Sequence, residues 1–397
     1  MMRGARVGLS LLLLLTLGGL SCTKEQPQGL FDPHASYNPD PVITALVPPD
    51  SALAGLVNIS IKGFHFSPSP ANNFVYFGKN RVPVQQAVGE TLLVVKSPKT
   101  PAESVPVKVA VLGALGFSNV VMYKLVPGIF AWGGYGEFDD PYVVECDREE
   151  NVYVALGNRN VEKISPTGAK SVYGTLPFAL PSGMKMGPGG YLYVARKATS
   201  FYRIPPGGGA AEKWITAPGR ITDFDFAPDG SMYGGGKDVL YRIRSDGSAA
   251  AVADYPNVTI RAVRVFSNQV FVGGRDDNTS QEFVWRHQIQ PDGSLSPKEV
   301  YFDWTGRMGA GSQVLCLTFA ADGDLYIGTN APEAIVIVHP DGSFEPLYPG
   351  VLEPTTNYMA WGNRNFLYLC RTSDDPKKKG VLKVNMLKEG APYYGRP

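Results

Sequence analysis

A strand-like segment with a central aromatic residue recurs six times in the C-terminal two thirds of this chain. The aromatic residues, spaced 40, 40, 38, 55 and 42 positions apart, are Tyr153, Tyr193, Tyr233, Phe271, Tyr326 and Tyr368. Turns such as Asp246-Gly247 and Asp292-Gly293 lie between the repeats, and Asp-Gly pairs supply the positive φ angles of tight hairpins. Each unit therefore holds two hairpins and about four strands, which is typical of a propeller blade.

The composition favours the same fold class. The 397 residues include 45 Gly, 33 Pro, 20 Tyr and 19 Phe, a balance that suits many short strands and frequent chain reversals. An apolar fraction of 44% excludes a disordered chain, and a net charge of +1 gives no electrostatic footprint for nucleic acid. We predict an all-β protein, with a small immunoglobulin-like β-sandwich at 41–126 and a six-bladed β-propeller at 127–397.

The N-terminus has the features of an export signal. Arg3 and Arg6 precede a short apolar run, Val7–Leu17, which falls below the roughly 20 residues of a membrane span. Ending in Leu20-Ser21-Cys22, residues 1–21 resemble a bacterial lipoprotein signal peptide, although Gly19 stands where such signals usually have Leu. The resemblance implies a lipid on Cys22, a tether at 22–40, and an exported protein held at the outer membrane, facing the cell surface or the periplasm, through that lipid alone. An ordinary secretory signal is the alternative.

The segment 41–126 alternates short apolar runs with Pro, Gly and Asn clusters, the pattern of strands and turns. Its Ile61–Phe66 and Val75–Gly78 stretches resemble an IPT/TIG domain, which implies a spacer or interaction module. The repeats resemble NHL-type propellers, most clearly at Pro181–Val194. For the last blade, two closing strands compete: Gly128–Trp132 and Ala391–Tyr394.

The inner strand of each blade precedes the repeated aromatic strand, and its side chains alternate between two faces. One face is apolar throughout and should pack between blades. The other contributes four alternating charges to the channel from blades one to four: Glu145, Lys185, Asp225 and Arg264. Two interpretations follow: solvated ion pairs across a wet channel, or a polar channel that binds a small ligand or ion.

The rim at the start of these strands is the predicted ligand site. Carboxylates and Arg can bond sugar hydroxyls while aromatic faces cover the C–H surface. The candidate residues are Asp140, Tyr142, Ser182, Asp223, Arg261, Asn357 and Tyr358. Trp304, in the insertion of the fourth repeat, is the tryptophan expected to be exposed.

The sequence contains no recognisable catalytic or metal-binding motif. The four His are scattered, Cys146, Cys316 and Cys370 fit no zinc spacing, and we predict no catalytic residue, metal or cofactor. The cysteines are expected to be buried thiols, with a Cys146–Cys370 bridge as the alternative. A further hypothesis is that the loop residues at 276–278 bind calcium, and the alternative is a solvated turn.

A lipid-anchored envelope protein that binds a glycan or another small polar ligand is the leading hypothesis. One alternative is a structural module that binds an envelope protein partner. The other is a metal-dependent hydrolase, because gluconolactonase-like propellers resemble this chain and imply a metal held by Glu145, Asp223 and Asn357.

Overall fold

The computed structural model describes residues 37–371 and 379–396. The predicted signal peptide, Cys22 and most of the predicted tether lie outside the described residues. Within the two described ranges, no helix has the length and apolar character needed to cross a bilayer.

The N-terminal domain is a sandwich of two sheets. Its strands, with one 3₁₀ turn at Pro70–Asn72, are Val42–Val47, Ser51–Leu53, Asn58–Phe64, Asn73–Phe77, Asn80–Val82, Val84–Val88, Leu92–Lys96, Ala102–Val111 and Val121–Val126. In strand order the sheets are 1-3-7-6 and 2-9-8-4-5. Side chains from both inner faces, such as Ile59, Ile61, Val95 and Val107, are fully buried between them, because alternate residues of a strand face opposite sides.

The C-terminal domain is a six-bladed propeller, which confirms the predicted fold class. Blade one is Pro141–Cys146, Val152–Leu156, Asn160–Ile164 and Lys170–Thr175, with the short strand Gly209–Ala210 at its edge. Blade two is Gly183–Met186, Leu192–Ala195, Ala198–Ile204 and the first part of Glu212–Phe226. Blade three is the rest of that strand, Met232–Ile243 and the first part of Ala249–Phe266. Blade four is the rest of that strand, Gln269–Asp276, Glu282–Gln288 and Glu299–Asp303. Blade five is Val314–Phe319, Leu325–Thr329, Ile335–Val338 and Phe344–Pro346.

Blade six settles which segment closes the ring. It consists of Tyr358–Trp361, Phe366–Arg371, Gly380–Asn385 and, as the fourth strand, Ile129–Trp132. Ile129 pairs with Val384 and Trp132 with Val381. The first strand of the domain therefore completes the blade formed by the last strands of the domain. Ala391–Tyr394 does not form the closing strand.

The repeated aromatic residues belong to the core of the propeller. All six lie on second strands and are no more than 3% exposed. Blade three departs from the pattern in its connections, since Met232–Ile243 pairs with the inner strand through its first half and with Ala249–Phe266 through its second half. Asp238, where the strand changes partner, has a φ of 64°.

The insertion in the fourth repeat forms a short helix, Trp304–Met308. The prediction that Trp304 is exposed is wrong, since its side chain is fully buried. Its indole packs beside Phe302, and its Nε1 donates a hydrogen bond to Ser312 Oγ at 2.9 Å, so the insertion satisfies the ring's polar group as it covers the apolar surface.

The cysteines at 146, 316 and 370 are free thiols and all three are buried. The alternative of a Cys146–Cys370 bridge is therefore wrong. Burial raises the pKa of each thiol, so they act as small apolar groups in the core.

Candidate functional site

Five charged side chains meet inside the propeller channel. Glu145, Lys185, Asp223, Asp225 and Arg264 come from the inner strands of blades one to four and are 0–5% exposed. Their strands place them there because every second residue of an inner strand points to the axis. Because these side chains are almost fully buried, the predicted ion pairs lie in the core of the propeller and not at a solvent-exposed surface.

Two of the carboxylates have a cation. Lys185 Nζ lies 3.1 Å from Glu145 Oε2, and Arg264 Nη1 lies 3.5 Å from Asp225 Oδ2. Asp225 also accepts a hydrogen bond from the backbone N–H of Val265 at 2.9 Å. Burial alone lowers the pKa of Arg264, but Asp225 and the other nearby acidic groups outweigh it and raise that pKa above its usual value. Each of these buried charges therefore has a partner of opposite sign, which offsets part of the cost of removing it from water.

Asp223 is the third carboxylate and has a different set of partners. Its Oδ1 accepts a hydrogen bond of 2.9 Å from the Tyr358 hydroxyl, and its Oδ2 accepts one of 2.9 Å from Val263 N–H. Burial raises the pKa of Asp223, while the charges of Lys185 and Arg264 partly oppose that rise. Burial, reinforced by Asp223, also raises the pKa of Tyr358, which keeps its hydroxyl protonated as a donor.

The predicted rim residues share the starting end of the inner strands, and a hydrogen bond joins two of them, Asp223 and Tyr358, directly. Those two are 4% and 5% exposed and lie inside the channel rather than on an open rim. Arg261 forms a two-pronged pair with Glu282, at 2.6 and 2.9 Å. Ser182 Oγ donates to the carbonyl oxygen of Thr222 at 2.8 Å.

The remaining three predicted rim residues are more open to solvent. Asp140 Oδ1 accepts from Lys379 Nζ at 2.7 Å, and Tyr142 and Asn357 are half-buried. Glu282, which the sequence analysis did not single out, sits on a later strand of blade four, where no repeat position signals its role. Five of the seven predicted rim residues are thus held by hydrogen bonds within the protein.

The opposite mouth is closed by the C-terminal tail. Ala391 N–H donates to the carbonyl oxygen of Phe319 at 2.9 Å, which starts the tail across the channel. The Tyr393 hydroxyl then donates to the carbonyl oxygen of Cys146, and it lies 3.1 Å from that of Trp361. Arg396 lies with its guanidinium carbon 5.1 Å from the Tyr393 ring centre. The tail therefore bridges blade five to blades six and one.

Beside this tail lies a cavity of about 590 Å³, which we call the tail pocket. Aromatic rings form much of it, with a hydroxyl and an amide at its lip; its main lining residues are Phe226, Phe266, Ser267, Asn268, Tyr393 and Tyr394. Its volume falls within the roughly 300–1,000 Å³ of small-molecule sites. None of the described residues that line it carries a formal charge. The pocket could not be predicted from the sequence, because only the path of the tail brings its walls together.

Two of the three residues of the lactonase-like resemblance, Glu145 and Asp223, have carboxylate oxygens bonded to other groups. Lys185 occupies an oxygen of Glu145, while Tyr358 and Val263 occupy those of Asp223. Across 37–371 and 379–396, no three His, Cys, Asp or Glu side chains converge on one point. In the acidic loop, Asp277 accepts hydrogen bonds from Arg275 and Thr259. Its carboxylate oxygens, which would have to bind calcium, are therefore bonded to other groups.

Comparisons with known proteins agree with this architecture. Residues 41–123 match the IPT/TIG domain family. Among curated proteins, none matches the sequence.

Solved structures share the fold at low identity. An auxiliary nutrient binding protein from Bacteroides ovatus is 12% identical with a TM-score of 0.50, over 87% of this chain and 97% of that one. A Bacteroides thetaiotaomicron protein provisionally named a phosphatase is 11% identical with a TM-score of 0.57, over 87% and 97%. Regucalcin, a calcium-binding protein from Agrobacterium tumefaciens, is 15% identical with a TM-score of 0.50, over 65% and 94%. The first two span both domains, and the third covers a smaller part of the chain.

Proposed function

We propose that this protein is a lipid-anchored binding protein of the bacterial cell envelope, and that its propeller holds a neutral glycan in the tail pocket. The main support for this proposal is the lining of the tail pocket. It offers aromatic faces for the C–H surface of a sugar ring, and Asn268 and Ser267 stand at its lip to bond hydroxyls. An uncharged lining suits an uncharged ligand.

The tail pocket is favoured over the predicted rim because polar side chains of the rim are already held by hydrogen bonds within the protein. At the rim, Arg261 is held by Glu282 and Ser182 by Thr222. A ligand there would have to displace those bonds, with a loss for each polar group left unpaired. In the tail pocket Asn268 Nδ2 also has a partner, the carbonyl oxygen of Ile289 at 3.0 Å, so a ligand hydroxyl would bond to Asn268 Oδ1 or to the Ser267 hydroxyl instead.

A nutrient-binding role is consistent with the two-domain likeness to the Bacteroides ovatus protein, which is described as nutrient binding. The name of the phosphatase-like structure raises the enzymatic alternative. In this chain the buried acids Glu145, Asp223 and Asp225 bond to neighbours within the channel, which favours a structural use of those groups.

A glycan-array screen followed by calorimetric titration of each hit tests the proposal. Tyr394→Ala should weaken binding at least about tenfold, because removing an aromatic anchor from a site typically has an effect of that size. Asn357→Ala at the rim is the matched control and should bind like the natural protein. Loss of binding only in the rim variant would move the site to the rim, and a blank array would overturn glycan binding.

The anchor is tested separately. Replacing Cys22 by Ser should release the protein from membranes and abolish labelling with a radioactive fatty acid. Continued labelling of the Cys22→Ser protein would overturn the lipid anchor and leave the ligand proposal standing.

A further inference from the structure

Exposed apolar side chains concentrate at one end of the N-terminal domain. We call this end the apolar pole; its members, which are 40–67% exposed, are Val42, Phe64, Leu112, Leu115, Phe117 and Val120. Scattered single apolar residues are normal on a protein surface, but a contiguous group marks a surface that meets another apolar phase.

Backbone contacts hold these residues side by side. Val42 pairs with Phe64 across neighbouring strands, and both the N–H and the carbonyl of Ile43 bond to the side chain of Asn119, at 2.8 and 3.0 Å. Gly116 N–H donates to Asp40 Oδ1 at 2.7 Å, which fixes the 112–117 turn beside the first strand. The pole is thus one end of the sandwich, with its members on neighbouring backbone segments.

The pole faces away from the propeller. From Val120 the last strand, Val121–Val126, runs directly to the propeller, so the two ends of that strand separate the pole from the second domain. At the far end, Lys99 Nζ donates to the carbonyl oxygen of Gly350 at 2.8 Å, which ties the sandwich to blade five. The pole therefore remains uncovered by the described part of this chain.

The chain also enters the described structure at this pole. Asn38 N–H donates to the carbonyl oxygen of Gly113 at 2.8 Å, within the same turn that carries Leu112 and Leu115. Fifteen positions separate Cys22 from Tyr37, and a chain of that length spans at most about 50 Å when fully extended. A lipid on Cys22 would therefore keep this end of the folded protein within about 50 Å of the bilayer.

We infer that the apolar pole docks on the membrane surface, inserting Leu112, Leu115 and Phe117 among the lipid headgroups and upper acyl chains. This inference rests on the proposed lipid anchor. A second contact besides the lipid would fix how the folded protein sits on the bilayer. Lys108, whose Nζ lies 3.9 Å from the Phe117 ring centre, suits anionic headgroups. Asp40 is also close, so apolar contact should dominate, and binding should persist in salt.

Vesicle co-sedimentation of the full chain carrying Cys22→Ser tests the pole without the lipid. Vesicles of phosphatidylethanolamine and phosphatidylglycerol should bind this protein, and adding Leu112→Ser, Leu115→Ser and Phe117→Ser should reduce the partitioning about tenfold. The matched control replaces three equally exposed propeller residues by Ser: Val172, Val300 and Leu387, at 61%, 55% and 53% exposed.

Thermal unfolding would check that each variant is folded, and the single change Leu115→Asp offers a milder second test. Equal vesicle binding by the pole and control variants would overturn the inference, as would no vesicle binding by the Cys22→Ser protein. Loss of a co-purifying envelope protein in the pole variant, without vesicle binding, would assign the surface to a protein instead. None of these outcomes depends on whether Cys22 carries lipid, which the fatty-acid labelling decides.

Discussion

Tyr358 donates a hydrogen bond of 2.9 Å to Asp223 across the axis of the propeller, and so ties the inner strand of blade six to that of blade three. The two strands are three blades apart in a six-bladed ring, which places them on opposite sides of the channel. The same hydroxyl accepts from Met184 N–H at 3.4 Å, so a single side chain contacts blades two and three. The channel is therefore a packed, bonded core in its middle section.

Tyr358→Phe should destabilise the protein by about 1–3 kcal/mol, because it leaves a buried carboxylate oxygen of Asp223 with one donor fewer. Urea denaturation followed by tryptophan fluorescence measures the change. Tyr142→Phe, at a half-buried rim position, serves as the control and should shift the midpoint little. Equal midpoints for Tyr358→Phe and the natural protein would mean that water replaces the lost donor.

Lys185→Met should be more damaging, by about 3–5 kcal/mol, since it leaves the Glu145 carboxylate buried without its cation. Adding Glu145→Gln to the same chain should recover much of the loss, as the unpaired charge is then gone. The exposed pair of Lys124 and Glu103, at 2.6 Å, is the comparison, and Lys124→Met should change stability by less than about 1 kcal/mol. A double variant as unstable as Lys185→Met would contradict this account.

Tyr393→Ala should open the tail-side mouth of the channel. The hydroxyl that bonds the carbonyls of Cys146 and Trp361 is lost, and with it the ring that stands 5.9 Å from the Arg264 guanidinium. Hydrogen exchange should then rise at Val265 N–H, which bonds Asp225 in the channel, but not at Val109 N–H in the N-terminal domain. Unchanged exchange at Val265 would show that the tail is not what seals the channel.

The register of the inner strands could be predicted from the sequence because it depends on two periods. The 40-residue repeat aligns the blades, and the two-residue alternation puts Glu145, Lys185, Asp225 and Arg264 on one face. Six equivalent positions then constrain each other, so a one-residue slip in any blade would turn apolar residues to the axis.

The contacts that cross between repeats could not be predicted in the same way. The bond from Tyr358 to Asp223 depends on how far a phenol reaches across the ring, and the pairing of Arg261 with Glu282 depends on side-chain geometry in the fourth blade. Tyr393 belongs to a tail outside the repeat, so no periodicity places it. A position in an insertion predicts an exposed Trp304, yet that insertion folds back as a short helix and the Trp304 side chain is buried.

His287 should make the protein less stable in mild acid. Its Nε2 lies 2.7 Å from the Tyr255 hydroxyl and its Nδ1 lies 2.7 Å from the carbonyl oxygen of Ser296. Neutral imidazole satisfies both contacts, with Nδ1–H donating to Ser296 and Nε2 accepting from Tyr255. Burial lowers the pKa of His287 below its usual 6.5, with Lys298 acting in the same direction and the bond to Ser296 opposing them.

The direction of the pH dependence of stability depends on which state of the protein binds the proton. Between the lowered pKa of folded His287 and 6.5, the unfolded chain binds a proton that the folded protein does not, so stability rises with pH and is lost as pH falls through that window. Melting temperatures taken from pH 7.5 to 5 should therefore fall less steeply in His287→Gln than in the natural protein. His65→Gln, in the N-terminal domain, is the control and should keep the natural slope. Parallel curves for all three proteins would assign the acid sensitivity to other groups.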